Sequence, residues 1–233
     1  MATQQKPQND PIYSEIFRAI LEQRLAPGAK LTESTMADVF GVSRTIIRQV
    51  LLRLSLDNVV EIHPNRGAFI AMPKAEDVRQ VFSARHLLED GIVAASAANC
   101  SAVDADVLRK IVGKENDCIR NSDRIGAIRL SGEFHLELAR IGGNKPLMRL
   151  LRQLVAQTSL AIALYETPGN LVCVDDDHIN IVEAIAAGDI EKSRGLMREH
   201  LRQCESHLNL DPLNDSNNLR AVFANVFEAR HSA

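Results

Sequence analysis

Apolar residues recur at helical spacing from the start of the chain. Ile12, Ile16, Phe17, Ile20 and Leu21 trace one face of an amphipathic helix, which Pro27-Gly28 ends with a turn. A short helix carrying Met36, Val39 and Phe40 is expected next, with Thr32 as its N-cap and Gly41 as its breaker. Ser43 is the expected N-cap of the following helix, Arg44 to Leu56. After Asp57-Asn58 the pattern changes. Val59–Ile62 and Ala68–Met72 are β-prone runs bridged by His63-Pro64-Asn65-Arg66-Gly67, which reads as a two-stranded hairpin. Pro73-Lys74 then form a short linker. From Glu76 onward segments rich in Ala, Leu, Val, Glu and Arg follow one another, with turn signals at Gly142-Gly143-Asn144-Lys145-Pro146, Thr167-Pro168-Gly169-Asn170 and Gly188-Asp189. No strand alternation of any length interrupts them. Asp211–Asn218 is a polar break before a last apolar stripe, Leu219, Val222, Phe223, Val226 and Phe227.

The pattern therefore predicts a mainly α chain in three parts. Residues 1–73 have the element order of a winged helix-turn-helix, three helices plus a β-hairpin wing. Residues 76–209 are all helical, and residues 210–233 form an extension with one amphipathic helix that must pack against something to be stable.

Composition narrows the class. A chain of 233 residues, 45% hydrophobic and 24% charged, has the mixture of a soluble globular protein with room for two ordinary domains. No apolar run approaches the roughly 20 residues of a membrane span, and Met1–Asp10 lacks the apolar segment of a secretory signal. Cys100, Cys118, Cys173 and Cys204 are scattered without close pairing, which suggests a reducing compartment and a cytoplasmic location. The net charge is −3, and residues 1–75 are only mildly basic, so bulk charge does not announce nucleic-acid binding. The placement of charge does.

On a helix starting at Arg44, successive side chains rotate by about 100°, which puts Ile47, Val50, Leu51 and Leu54 on one face and Arg44, Thr45 and Arg48 at the opposing N-terminal corner. A helix that reads a major groove needs this layout, with apolar anchoring behind and donors in front. Arg pairs bidentately with guanine, and Thr bonds phosphate. Arg66-Gly67 at the hairpin tip adds a cation on a permissive backbone. Leu52 falls on the polar side and has no place in this scheme.

"LTESTMADVFGVSRTIIRQVLLRL" followed by "HPNRGAFI" resembles the DNA-binding domain of the GntR family, through Leu31, Glu33, Ala37, Gly41, Val42, Ser43, Arg44, Thr45, Arg48, Leu51, Leu54, Arg66 and Gly67. The resemblance covers about residues 10–73 and implies DNA contact by Arg44, Thr45, Arg48, Arg66 and Gly67, with Ser43 as a cap. Two positions depart from the pattern. Ile46 replaces a usual proline, and Ser34 stands where some members carry a DNA-contacting Arg.

Downstream, His135, His178 and His200 lie on separate predicted helices, and three neutral imidazoles can bind a divalent first-row metal with positions left open. Spacing alone does not make them converge. "RHLLE", "EFHLELARIGGNKPL" and "DHINIVEAIAAGDIEKSRGLMREHL" resemble the FCD ligand-binding domain of the FadR-type branch, over about residues 76–208. That resemblance implies an antiparallel all-helical bundle, dimerisation through it, and small-carboxylate effectors. In its metal-binding members an Asp four residues before the first His joins the three histidines; here that position is Ser131. The resemblance thus points to zinc, nickel or manganese on His135, His178 and His200, and Ser131 leaves three alternatives: water completes the site, effector oxygens do, or the site is vacant. Arg85 is the expected carboxylate partner of the effector, or else the intrahelical partner of Glu89. Arg129 is a weaker candidate, and the Asp175-Asp176-Asp177 run is expected to cap a helix and complement its dipole.

The leading expectation is a ligand-responsive DNA-binding regulator, a repressor released by a small organic acid, acting as a homodimer on an operator with an inverted repeat. The alternative is a hydrolytic enzyme whose three-histidine metal activates water.

Overall fold

Helix α1 (Asn9–Leu21) buries Ile12, Ile16, Phe17 and Ile20 against α3 (Arg44–Leu56), whose apolar face of Ile47, Val50, Leu51 and Leu54 was the one its sequence spacing marks out. These belong to a computed structural model that describes residues 9–166 and 177–210. The terminal stripe Leu219–Phe227, Asp175, Asp176 and Cys173 lie outside the described residues. Between α1 and α3 runs α2 (Glu33–Phe40), ended by Gly41 at φ 64, a left-handed conformation that glycine adopts without a Cβ penalty. Thr32 does occupy the N-cap of α2, but its hydroxyl makes no capping bond.

Strands β2 (Val60–His63) and β3 (Gly67–Ile70) pair antiparallel with Val60 opposite Ile70 and His63 opposite Gly67. The expected hairpin gains a third strand, β1 (Lys30–Leu31), giving the order β1-β3-β2. Two residues are too few to show an alternation. Leu31 becomes strand by lying opposite Ala68, where both are buried in the same core.

Six further helices follow among the described residues: α4 (Ala75–Asn99), α5 (Ala102–Arg120), α6 (Arg124–Ile141), α7 (Lys145–Tyr165), α8 (Asp177–Ala186) and α9 (Ile190–Ser206). Ser101, Asp123, Asn144 and Asp189 each accept a hydrogen bond from a first-turn amide, so the short polar breaks in the sequence act as caps. A core of Phe134, Leu138, Leu108, Leu151, Ile181 and Leu201 fills the bundle.

The two parts meet along α7. Ala156 and Leu160 of α7 belong to the same apolar cluster as Phe17 and Ile20 of α1. The Arg152 guanidinium lies 4.4 Å from the Phe17 ring centroid. Polar contacts flank this seam. Ser159 Oγ donates to the Leu21 carbonyl (3.1 Å), and Gln157 Nε2 donates to the Asp57 carbonyl at the end of α3 (3.1 Å). The buried Asp57 carboxylate accepts from both Tyr13 Oη and Gln153 Nε2. Burial and this bond to Asp57 push the Tyr13 hydroxyl pKa up.

Candidate functional site

Arg44, Thr45 and Arg48 are exposed at the start of α3, while the apolar residues behind them are buried. Ser43 caps this helix by accepting from the Ile46 amide at 3.4 Å, as its sequence position suggests. The Arg48 guanidinium is not unpartnered: Nε and Nη2 donate to Glu33 Oε1 and Oε2 at 3.0 and 2.7 Å. That hydrogen-bonded Arg48 lowers the Glu33 carboxyl pKa below its usual range. At the wing, Asn65 (φ 61) and Gly67 (φ 95) turn the chain through left-handed conformations, leaving Arg66 exposed at the tip. Ser34 is half-buried. Leu52 is 51% exposed, and nothing in the structure explains it.

In the bundle, His135 of α6, His178 of α8 and His200 of α9 converge. All three are buried, and one ring nitrogen from each lies within 4.8 Å of the others. His178 Nε2 and His200 Nε2 are 3.1 Å apart. Each Nδ1 faces a carboxylate. Glu89 Oε2 is 2.5 Å from His135 Nδ1, Glu115 Oε2 is 2.7 Å from His178 Nδ1, and Asp177 Oδ2 is 3.7 Å from His200 Nδ1. A carboxylate that accepts Nδ1–H fixes the tautomer in which Nε2 carries the lone pair, the arrangement that orients metal-ligating histidines. Burial pushes His135 down to about 3, so its ring is neutral at ordinary pH; burial would lower His200 too, but Cys204 and Asp177 beside it raise it to about 10, so a cation there has to displace a proton.

The charges around the rings also fit a cation. Glu89 is balanced by Arg85, whose Nε donates to it at 2.6 Å. Burial alone would raise the Glu89 pKa, but Arg85 and His135 outweigh it and hold the carboxyl well below the usual range. Glu115, 1% exposed, has His178 as its only ion-pair partner among the described residues, and its Oε1 has no hydrogen-bond partner. Three imidazoles backed by carboxylates, two of them without an arginine, could hold a divalent cation.

A cavity of about 30 Å³ adjoins His135, lined among others by Arg85, Ser131, Thr158 and Cys204. It has room for about one or two water molecules or a carboxylate group. Of the two expectations for Arg85, the intrahelical pair with Glu89 is present. Arg85 Nη1 reaches Thr158 Oγ1 at 3.4 Å, and its Nη2 is buried without a hydrogen-bond partner. Arg129 is instead half-exposed and pairs with Glu133 at 3.3 Å.

The sequence reading missed Glu115 altogether and took Asp177 only as a helix-start residue. Asp177 does lie in the first turn of α8, and it also faces His200. No local signal marks Glu115, an ordinary acid on an amphipathic helix until α5 packs beside α8.

Residues 8–70 match the family model for bacterial regulatory proteins of the gntR family, and residues 80–203 match the FCD domain. An HTH-type transcriptional regulator from an unstable DNA locus of Streptomyces ambofaciens is 29% identical, over 82% of this chain and 80% of that protein. The HTH-type transcriptional regulator LutR of Bacillus subtilis is 28% identical, over 79% of this chain and 93% of its own. Among solved structures, E. coli McbR/YncC superposes with a TM-score of 0.76 at 21% identity, over 85% of this chain and 95% of that one, a likeness of fold.

Proposed function

The chain belongs to the GntR family of bacterial regulatory proteins, in the branch that carries an FCD domain; on that premise we propose that it is a homodimeric repressor that leaves its operator when a small carboxylate enters a metal-bearing pocket. It is a ligand-responsive DNA-binding regulator and not an enzyme, so the hydrolase alternative falls away. No described helix is long and apolar enough to cross a membrane.

The DNA-binding half rests on Arg44, Thr45 and Arg48 at the head of α3 and on Arg66 and Gly67 at the wing tip, all exposed. In this reading the helix enters the major groove and the wing grips the flanking groove or backbone.

The observation that carries the sensing half is the buried, unpartnered Nη2 of Arg85 beside a small cavity that His135 also lines. A buried donor left without an acceptor costs about 1–3 kcal/mol, which an incoming carboxylate oxygen recovers. Ser131 lines the same cavity, so the carboxylate enters where metal-binding members place their own Asp. Zinc, nickel or manganese bound by His135, His178 and His200 would supply positive charge and an open coordination position there.

The dimer reading is supported by Leu87 on α4, 81% exposed, flanked at helical spacing by Ala84 and Gly91, with the half-exposed Leu150 on the adjoining α7. An apolar stripe of this kind is what a second copy covers, and two copies present two α3 helices to paired half-sites.

The test selects operators from a randomised duplex pool and follows binding by fluorescence anisotropy at fixed salt. Arg48→Ala is expected to weaken binding roughly 10-fold or more, as loss of a bidentate base contact does. Undiminished binding would remove Arg48 from the assignment. Metal analysis of protein purified without chelators or a nickel column checks the pocket, and a metal-free, zinc-indifferent protein defeats that part alone.

A further inference from the structure

We infer that Glu115, through His178, is the positioning residue that sets how tightly the three-histidine site holds a divalent cation. The inference rests on the metal reading above.

Burying a charge is costly. A carboxylate removed from water is stabilised only by hydrogen bonds and by nearby positive charge. The other acids at the site have ordinary reasons to be there. Glu89 answers Arg85, and the Asp177 side chain keeps 29% exposure and sits in the first turn of a helix, where an acid complements the dipole. Glu115 has neither excuse. Its side chain is 1% exposed, one oxygen is 2.7 Å from His178 Nδ1, and the other has no partner. It sits on α5 thirteen residues after Ala102 and five before Arg120, away from the positive N-terminal end of the helix, so no dipole supports it. A methionine or leucine would pack there without that penalty.

A dication on the far side of the His178 ring resolves the imbalance. Glu115 accepts Nδ1–H, makes Nε2 a stronger donor, and places a negative charge across the ring from a cation held there. The ring itself bridges the two charges. This outer charge matters more here because Ser131 supplies no carboxylate to the site from within. With Arg85 already committed to Glu89, the carboxylates of Glu115 and Asp177 are the two charges left to match a dication.

The experiment titrates zinc alone against a chromophoric chelator, using the full-length chain, and records melting of the apo and zinc-loaded forms. Variants are Glu115→Gln, which keeps shape and an acceptor, and Glu115→Asp, which keeps charge. Glu115→Gln is expected to weaken zinc binding roughly 10- to 100-fold. The rise in melting temperature on adding zinc then shrinks, because that rise follows the ratio of free zinc to Kd. Glu115→Asp is expected to lie between wild type and Glu115→Gln. A merely structural role predicts something else: both forms melt earlier, with the zinc-induced rise and the Kd unchanged. That result overturns the inference, as does a Glu115→Asp variant that binds zinc as tightly as wild type despite its shortened reach to His178, an arm that stands even if the Gln variant does not fold. Wild type that binds no zinc sinks the metal reading itself, a failure distinct from a wild type that binds and a Gln variant that binds equally well.

Discussion

Ser131 is the residue at which this chain departs from the metal-binding pattern it otherwise follows. It lies one turn before His135 and lines the same cavity. A carboxylate at that position would face the same centre as the imidazoles. Ser131→Asp is therefore expected to tighten zinc binding. At an effective dielectric near 20, a charge pair a few ångströms apart gains on the order of 1–4 kcal/mol, so about tenfold or more. The same substitution is expected to weaken binding of acetate or a similar small acid, because it fills the space and repels the anion. Isothermal titration with zinc, and with acetate on the zinc-loaded protein, reads both effects. Unchanged affinities would place Ser131 outside the coordination sphere. The histidines themselves were legible as three candidates in sequence, and so was Arg85. Their carboxylate partners were not, because the intervals between partners run from 23 to 63 residues and no local period links them.

At the level of elements, α3 shows how closely a local pattern is followed when a helix buries one face. Its four buried residues, Ile47, Val50, Leu51 and Leu54, are the apolar stripe of its sequence, and its start is the Ser43 cap. Ser43→Ala is expected to cost about 1 kcal/mol, the usual loss when an N-cap hydroxyl is removed. Urea unfolding measures it, with the midpoint falling and the slope unchanged. Because the cap fixes the turn that carries Arg44 and Thr45, operator affinity should fall with it. A full loss of stability with no loss of affinity would separate the cap from the DNA edge. Strand β1 behaves in the opposite way. Lys30-Leu31 has no strand signal of its own and is drawn into the sheet by its pairing with Ala68 and Phe69. Short elements recruited by tertiary contact escape a reading based on periodicity.

Across the whole molecule, α7 touches both proposed sites. Gln153 and Gln157 hold Asp57 at the end of α3, and Thr158 lines the cavity beside Arg85. A ligand that repositions Arg85 and Thr158 thus acts on the helix that fixes α3, and it shifts the DNA-binding equilibrium only as far as it favours one placement over the other. Asp57→Ala removes the buried acceptor from Tyr13 and Gln153 and is expected to weaken the seam by about 1–3 kcal/mol. In calorimetry the wild-type transition should split or broaden as the winged part melts ahead of the bundle. A single sharp transition at the wild-type temperature would show that the seam does not couple the two parts.

The sequence by itself determined the helical periods, the caps, the wing turn and the residue types able to grip DNA or a cation, because each of these is set by neighbours within about one or two turns of chain. Tertiary structure alone decided that three histidines share one centre, that Glu115 and Asp177 stand behind two of them, that Arg85 keeps one buried donor unmatched, and that Asp57 ties α3 to the bundle. Those facts depend on which faces pack together, and a buried charge acquires its meaning only from what the fold places beside it.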